Sequence, residues 1–350
     1  MVNWTDLMNF DKLYSKLPDF IKYNRFVLNF VLKIPKWLSK FNKKDAMFNS
    51  QKELFELIFL HSNFEVTGTI KNIQLLYIEL VRFIDNVCNK YDIDYWLDCG
   101  TLLGAVRHGG FIPWDDDIDL AIMRKDYEKL IEVLPKEIAK HDYLKQECGL
   151  TLLRENHENT FKDFYSVYDF DDPKGLLDEV RFLFLQFAWL KPFLKIDFFP
   201  KDYIIDEKLE YFKKNYVVTK YQFNKDVQSG KSFDDEFKLK CEKLGLTRDK
   251  TGYINDSMDS VDLSAPCIFE TDKIFPLTTI NFEGYDLKCP NDADHCLKGL
   301  FGSNYMRLPD VIEKHNIDTF IKTQFDSEKE MNDKFQKDIK YLRNINDNFE

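Results

Sequence analysis

The sequence predicts an α/β protein, more closely an α+β protein, in which a mixed sheet is flanked by helices. Two observations lead to this prediction. One long stretch carries apolar residues at helical spacing, and shorter stretches alternate apolar and polar residues as strands do. Along residues 70–134 the order is helix, strand, short helix, strand and helix, which indicates an α/β unit. An extra helical segment is predicted at the N-terminus, within residues 1–65.

Each element of this unit follows from its local pattern. From Ile70 to Cys88 the apolar residues lie three or four positions apart, which predicts a helix with one buried stripe. Residues 93–98 follow a break at Tyr91-Asp92, and residues 118–122 follow Gly109-Gly110 and Pro113. Both are short, mainly apolar runs, which predicts strands. A short helix is predicted between them over 101–107, and a second helix over 126–134 has its apolar residues on one face.

The pattern is coarser beyond residue 140. Residues 193–199 predict a strand that Pro200 stops, since proline lacks the N–H that a strand within a sheet donates. Residues 204–245 are predicted to be helical and highly charged, residues 280–287 to form a hairpin, and residues 294–301 to form a short helix.

Composition and charge divide the chain into three predicted regions: an N-terminal extension over 1–65, a main domain over 66–320, and a charged C-terminal tail over 321–350 that is either helical or disordered. Residues 1–44 hold nine basic and three acidic residues, a net +6 on a chain whose total is −11. The basic, aromatic segment 19–44 has two interpretations. It either anchors the protein to an anionic membrane surface, or packs on the main domain with its lysines in water.

Composition also excludes several classes of protein. A hydrophobic share of 44% excludes global disorder, and the net charge of −11 argues against nucleic acid as a partner. Seven cysteines without a CxxC pair predict reduced thiols. The first residues lack the pattern of a signal peptide, and no apolar run reaches the roughly 20 residues that span a bilayer. The sequence therefore predicts a cytoplasmic protein, with peripheral attachment to the inner face of the membrane as the open alternative.

The candidate chemistry lies in one stretch, GTLLGAVRHGGFIPWDDDIDL, at residues 100–120. If Asp117 and Asp119 both belong to a strand, their side chains share one face, about 7 Å apart, while Ile118 and Leu120 face the core. Two carboxylates held this way repel each other unless a cation lies between them. Oxygen ligands favour a hard divalent ion, and Mg²⁺ is the usual one beside phosphates.

A phosphate site is predicted a few residues earlier. Gly100 and Thr101 lie at a strand-to-helix turn, where unpaired N–H groups and the positive end of the helix dipole suit an anion. A phosphate turn close to a metal-binding strand indicates chemistry at phosphorus. The alternative is a solvated acidic loop beside an ordinary glycine turn.

The order of these residues resembles the LicD/fukutin family of phosphotransferases, which have a nucleotidyltransferase-like fold. The resemblance rests on WLDCGTLLGAVRHGGFIPWDDDIDLAI (96–122), IDFFP (196–200), IFPLTTINFEGYDLKCP (274–290) and HCLKGLFGSNYMRLP (295–309), and covers about residues 70–315. Two positions depart from the family pattern: Cys99 replaces a glycine, and Phe301 replaces the tyrosine of a Tyr-Gly pair.

The resemblance implies a catalytic domain that transfers a phospho-alcohol, such as phosphocholine or a polyol phosphate, from a CDP-activated donor to a hydroxyl of a lipid-linked or polymeric cell-surface glycan, with release of CMP. It implies Mg²⁺ or Mn²⁺ held by Asp117, Asp119 and Asp197, with Asp197 either a ligand or the base for the acceptor hydroxyl. Arg107 and His108 are expected to join Gly100 and Thr101 at the donor phosphates. For Arg107 the alternative is a cap on the short helix, and for His108 a structural role. For Asp197 the alternative is an ion pair with Lys195 or Lys201 at the end of its strand.

Two other functions remain open at the level of sequence. A true nucleotidyltransferase would move a nucleotide from an NTP with the same metal site and would release pyrophosphate. A membrane-docked scaffold of glycan assembly would have lost its activity, although three retained acids argue against such a loss. Neither the donor alcohol nor the acceptor glycan can be named from these residues.

Overall fold

A computed structural model of the protein describes residues 66–154, 183–186, 195–259, 266–308 and 324–349. The predicted N-terminal extension lies outside these ranges, so the proposed anchor segment stays a prediction. The helices of the described residues are α1 (Gly68–Lys90), α2 (Cys99–His108), α3 (Arg124–Ala139), α4 (Leu209–Gln228), α5 (Phe233–Leu244), α6 (Thr271–Ile274), α7 (Ala293–Phe301) and α8 (Glu328–Asp347). None of these helices is both long enough and apolar enough to cross a bilayer.

The strands form one curled mixed sheet and a separate hairpin. They are β1 (Tyr95–Leu97), β2 (Ile118–Met123), β3 (Thr151–Arg154), β4 (Leu183–Gln186), β5 (Lys195–Ile204), β6 (Leu246–Thr247), β7 (Tyr253–Asp256), β8 (Ile268–Glu270), β9 (Thr278–Phe282) and β10 (Tyr285–Cys289). Within the described ranges the main sheet has the order β1-β2-β5-β4-β3, with β6 and β7 pairing β5, and β8 pairing β7. Among the strand pairs of this sheet that the structure describes, only the central β2–β5 pair is parallel. The predicted fold class is confirmed.

Strand β5 corrects one prediction. Residues Lys195–Ile204 form a single strand that runs through Pro200, although the sequence predicts that the proline ends it. On one side β5 pairs β2 from Ile196 to Lys201. On the other side its antiparallel neighbour changes: pairing with β4 ends at Phe198, and pairing with β7 begins at Lys201. Pro200 lies between these two ladders, where a missing N–H is tolerated.

Helix α1 lies at the centre of the main hydrophobic core. Its apolar stripe is buried as the spacing predicts, and it packs on α3 and on the C-terminal helix α8. A second, smaller cluster joins α4 to α5 through aromatic residues such as Phe212, Phe223 and Phe233. The predicted hairpin is confirmed as β9–β10, which pairs Phe282 with Tyr285 across a two-residue turn.

The C-terminal region contributes to the core. Helix α8 buries Met331, Phe335, Ile339 and Leu342. The carboxylate of Glu79 on α1 is fully buried and accepts hydrogen bonds from Arg82, Arg343 and Asn346. Of the two alternatives for the tail, the helical one therefore holds over Glu328–Asp347, and the apolar face beneath its charged surface explains the packing. The division of the chain at residue 320 stays a prediction.

Candidate active site

The parallel pairing of β2 with β5 brings two distant acids together. Asp119 and Asp197 are register partners, and partners in adjacent strands lie about 4.8 Å apart and project to the same face. Asp197 is buried, at 8% exposure, and Asp119 is half-buried. The two acids are 78 residues apart in the chain, so only the fold produces this pair.

A second group of acids precedes β2. One ligand atom each of Asp115, Asp116 and Asp117 lies within 4.8 Å of the others, which is the spacing of groups that share a metal ion. Asp117 lies one residue before the strand, so strand alternation does not determine where its side chain points. The sequence pattern singled out Asp117 and passed over Asp115 and Asp116. Asp116 is buried at 3% exposure and belongs to the group.

The two groups of acids interact electrostatically. Burial, followed by the charges of Asp117 and Asp197, raises the pKa of Asp119 well above its usual range. Burial and Asp117 raise the pKa of Asp115 to about 8. The pKa values of these carboxyl groups are raised because burial and nearby negative charges both disfavour the ionised form. A cation bound among these oxygens would remove that cost.

The raised pKa of Asp115 predicts a pH-dependent stability for the metal-free protein. The Asp115 carboxyl has a pKa of about 8 in the folded protein and about 4 in the unfolded chain, so the folded protein binds the proton more tightly. This proton stabilises the fold fully below about pH 4, and its contribution is lost as the pH rises towards 8. In EDTA, Asp115→Asn should therefore melt at about the wild-type temperature at pH 4.5. At pH 8.5 it should melt above wild type, by about 2–4 °C for each kcal/mol of relieved repulsion.

Calorimetry of both proteins across this range checks the prediction. Other groups titrate in both variants, so the difference between the two melting temperatures is the quantity to follow. Saturating Mg²⁺ should raise the melting temperature of wild type more than that of Asp115→Asn. A variant that is less stable than wild type at pH 8.5 in EDTA would contradict the assignment.

The first turn of α2 lies against these acids. A Cβ placed on Gly100 would lie 3.3 Å from Asp115 Oδ2, so a carboxylate oxygen packs against this turn, as expected at the positive end of a helix. Thr101 is buried, and its Oγ1 accepts the backbone N–H of Asp119 at 2.9 Å. The hydroxyl therefore positions Asp119, a role that the sequence did not predict. Cys99, which replaces the family's glycine, has φ 44°, a backbone conformation that favours glycine.

Arg107 and His108 lie at the other end of α2, about 10 Å along its axis from Gly100. Arg107 donates from Nε to His108 Nε2 at 2.9 Å and from Nη1 to the carbonyl oxygens of Tyr305 and Arg307 at 3.2 and 3.3 Å. Burial and the neighbouring Arg107 lower the pKa of His108 to about 4, so its imidazole is neutral at pH 7. The arginine thus binds the segment 305–307 to α2 instead of capping this helix. Phosphate binding by either residue stays a prediction.

The hairpin turn supports the loop that leads into the acids. Glu283 and Gly284 both have positive φ, as the two-residue turn of a hairpin requires. Glu283 Oε1 accepts the N–H of Phe111 at 3.2 Å, and its own N–H donates to the carbonyl oxygen of Gly109 at 2.9 Å. A Cβ on Gly110 would lie 2.2 Å from Glu283 Oε1. The hairpin turn at Glu283-Gly284 therefore positions Gly109 and Gly110 in the loop that leads to Asp115.

Tyr77 on α1 is a candidate site residue that sequence reasoning missed, because it lies within the apolar stripe. Its side chain is 1% exposed, and its hydroxyl has no hydrogen-bond partner among the described residues. Burial, followed by the charges of Asp117, Asp116 and Asp197, raises the pKa of this hydroxyl, so it remains a donor. A buried, unsatisfied hydroxyl costs about 1–3 kcal/mol, and a ligand bound among the acids would supply the acceptor.

Tyr77→Phe tests this role because it removes only the oxygen. We expect kcat/KM to fall about tenfold, equivalent to one buried hydrogen bond, while the metal-free protein melts at or above the wild-type temperature. The matched control is Tyr95→Phe. The Tyr95 hydroxyl donates to Asp85 at 2.8 Å at the opposite end of β1, so its loss should lower stability and leave kcat/KM unchanged. An unchanged kcat/KM in Tyr77→Phe would show that the hydroxyl has no part in turnover.

The fold and the acids together define the class of protein. Acidic residues at the start of two adjacent parallel strands, beside the first turn of a helix, are the arrangement of a nucleotidyltransferase-type domain. Residues 92–227 match the family model described as "LicD/FKTN/FKRP, nucleotidyltransferase domain". The resemblance to the LicD/fukutin family that the sequence motifs predict is therefore confirmed over these residues.

Several named transferases are similar to part of the chain. The lipopolysaccharide cholinephosphotransferase LicD of Haemophilus influenzae is 35% identical over 107 residues, which are 31% of this chain and 40% of that protein. The human ribitol 5-phosphate transferase FKRP is 48% identical over 48 residues, 14% of this chain and 10% of its own length. The human ribitol-5-phosphate transferase FKTN is 30% identical over 97 residues, which are 27% of this chain and 21% of that protein. The chain thus matches 40% or less of each relative's length.

Proposed function

We propose that this protein is a metal-dependent phosphotransferase that moves a phospho-alcohol from a CDP-activated donor to a hydroxyl of a cell-surface glycan and releases CMP. The observation that carries the proposal is the register pair Asp119–Asp197, which lies beside the Asp115–Asp117 group and the first turn of α2. The relatives named above, one a cholinephosphotransferase and two ribitol-phosphate transferases, support this class of reaction.

The acids fit a divalent cation. Their oxygens are the ligands that Mg²⁺ and Mn²⁺ prefer, and the raised pKa values of Asp115 and Asp119 express repulsion that a cation would relieve. Asp117, Asp119 and Asp197 are the proposed ligands. Asp115 is a further candidate because its carboxylate lies within metal-sharing distance of Asp117, in a group that does not include Asp119 or Asp197. When bound, the ion would neutralise the charge of the donor's diphosphate.

The remaining steps belong to groups of this chain. The first turn of α2 would bind and orient the diphosphate through its N–H groups. The acceptor oxygen forms a bond to the phosphorus that carries the alcohol, and the bond from this phosphorus to the oxygen of CMP breaks. CMP leaves with the electron pair of that bond. The proton of the acceptor hydroxyl passes to a carboxylate, for which Asp197, beside Asp119, is the candidate.

In the direct test, the protein of residues 1–350 is incubated with Mg²⁺, a panel of soluble oligosaccharides, and CDP-choline, CDP-ribitol or CDP-glycerol in turn. The release of CMP is measured. We expect CMP release with at least one donor and none in EDTA. A parallel reaction with the four NTPs measures pyrophosphate. Pyrophosphate without CMP would favour a nucleotidyltransferase. Failure to bind any of these nucleotides in calorimetry would favour a non-catalytic scaffold.

We also propose that the basic segment 19–44 attaches the protein to anionic membranes. The expected result is sedimentation with phosphatidylglycerol vesicles but not with phosphatidylcholine vesicles, and release at 0.5 M salt, because salt screens the attraction between lysine and lipid. A variant that lacks residues 1–45 should no longer sediment but should still release CMP with a soluble acceptor. If the deletion instead makes the protein insoluble, the segment packs on the main domain.

A further inference from the structure

Lys201 is a buried cation close to the candidate site. It lies on β5, four residues after Asp197 and on the same face of the sheet, and its side chain is 7% exposed. Its ammonium group lies 2.7 Å from Asp98 Oδ2 and also pairs with Asp256 on β7. A lysine is rarely buried to this extent unless carboxylates surround it. Lys201 therefore links β5, β7 and the turn that begins α2.

The pairing with Asp98 is notable because Asp98 is the N-cap residue of α2. An aspartate at this position normally accepts a hydrogen bond from one of the first N–H groups of its helix. The Asp98 side chain makes no such bond, although its backbone is extended as an N-cap requires. Its Oδ2 lies 2.7 Å from the Lys201 ammonium group instead, in an ion pair without hydrogen-bond geometry. The ion pair thus holds the natural capping group away from the first turn of α2.

The same turn is fixed to Asp119 through the backbone. Asp98 N–H donates to the carbonyl oxygen of Asp119 at 3.0 Å, and Asp119 N–H donates to Thr101 Oγ1 at 2.9 Å. Asp98 is also one of the carboxylates whose charge acts on Asp119. A cation on Asp98 therefore offsets one of the negative charges at the site. The Tyr77 hydroxyl, which lacks a partner among the described residues, interacts with acids of the same site and independently indicates a ligand there.

We propose that Lys201 is a positioning residue, which keeps the Asp98 carboxylate off the first N–H groups of α2 so that these groups remain available to the anionic phosphates of the donor. The inference rests on the proposed function. It assigns Lys201 no contact with the donor. Without the lysine, Asp98 would turn to the helix, occupy the N–H groups and repel the diphosphate.

The test compares two buried lysines. Lys201→Met removes the charge and keeps the length of the side chain. Lys240→Met is the matched control, because Lys240 is 8% exposed and lies 2.7 Å from both Asp226 and Glu236 in the α4–α5 cluster. Both variants should lose stability. Only Lys201→Met should weaken binding of the CDP-alcohol that wild type turns over, by tenfold or more in calorimetry, with the acceptor KM unchanged.

A second pair of variants separates positioning from a general structural effect. Lys201→Arg keeps the cation and should retain donor affinity within a few fold. Adding Asp98→Ala to Lys201→Met removes the competing carboxylate and should restore most of the donor affinity, while stability stays low. Normal donor affinity in Lys201→Met, or no recovery in the double variant, would overturn the proposal.

Hydrogen exchange gives a readout that does not depend on the donor's identity. If Asp98 caps α2 when Lys201 is absent, the amide protons of Gly100 and Thr101 should exchange more slowly in Lys201→Met than in wild type, relative to the rest of α2. Unchanged or faster exchange there would contradict the proposal even if no CDP-alcohol is a substrate. Conversely, exchange could be slower in Lys201→Met while wild type releases no CMP from any donor. That result would refute the proposed function but would support the inference that Lys201 keeps Asp98 away from the first turn of α2.

Discussion

Asp119→Asn should reduce turnover by a factor of at least about 10², while the fold remains intact. Asp119 interacts with both groups of acids. It is the register partner of Asp197, and after burial the charge of Asp117 contributes most to its raised pKa. An amide keeps the size of the side chain and the backbone bonds to Asp98 and Thr101, but it is a poorer ligand for a divalent cation. Because the substitution removes repulsion, the metal-free variant should melt at or above the wild-type temperature.

The measurement is CMP release at saturating donor, with the melting temperature in EDTA as the check on folding. Asp286→Asn on the exposed face of β10 is the control, since it makes the same chemical change away from the acids. It should leave turnover unchanged. Near-normal turnover in Asp119→Asn would remove Asp119 from the metal site. A large drop in the melting temperature of Asp119→Asn would instead show that Asp119 stabilises the fold.

Arg124→Met should reduce the free energy of unfolding by about 3–5 kcal/mol. Arg124 is 6% exposed and begins α3, directly after β2. Its guanidinium binds Asp259 through two hydrogen bonds, at 2.6 and 2.9 Å, and Asp202 through two more, both at 3.2 Å. The side chains of Asp202 and Asp259 are only 6% and 4% exposed, so removal of the arginine leaves two uncompensated charges in the core.

Urea denaturation measures this loss. The control is Arg248→Met, whose partner Glu128 and own side chain are both exposed, so the change should be below about 1 kcal/mol. If Arg124→Met does not fold, the triple variant with Asp202→Asn and Asp259→Asn should recover soluble protein, because it removes the unpaired charges. A loss no larger than that of the surface control would show that water or rearranged neighbours solvate these carboxylates.

Local elements were predictable because their signals are local. The apolar stripe of α1, the acidic start of β2 and the positive-φ turn of the β9–β10 hairpin each depend on residues a few positions apart. The strand that passes through Pro200 was not predictable in the same way. A proline ends a strand only where the neighbouring strand requires its N–H, and the change of neighbour from β4 to β7 is a property of the whole sheet.

The residues of the candidate site likewise fall into those that the sequence predicted and those that only the tertiary structure brought together. The sequence by itself determined that Gly100, Thr101, Asp117 and Asp119 lie near one another, since they share one short stretch, and its motifs identified Asp197 as their partner. Tertiary structure decided that Asp119 and Asp197 are register partners, that Tyr77 lies beside the acids, and that Lys201 draws the N-cap aspartate away from its helix. The physical reason is that strand pairing and burial depend on contacts across the chain, whereas helical periodicity and turn geometry depend on neighbouring residues.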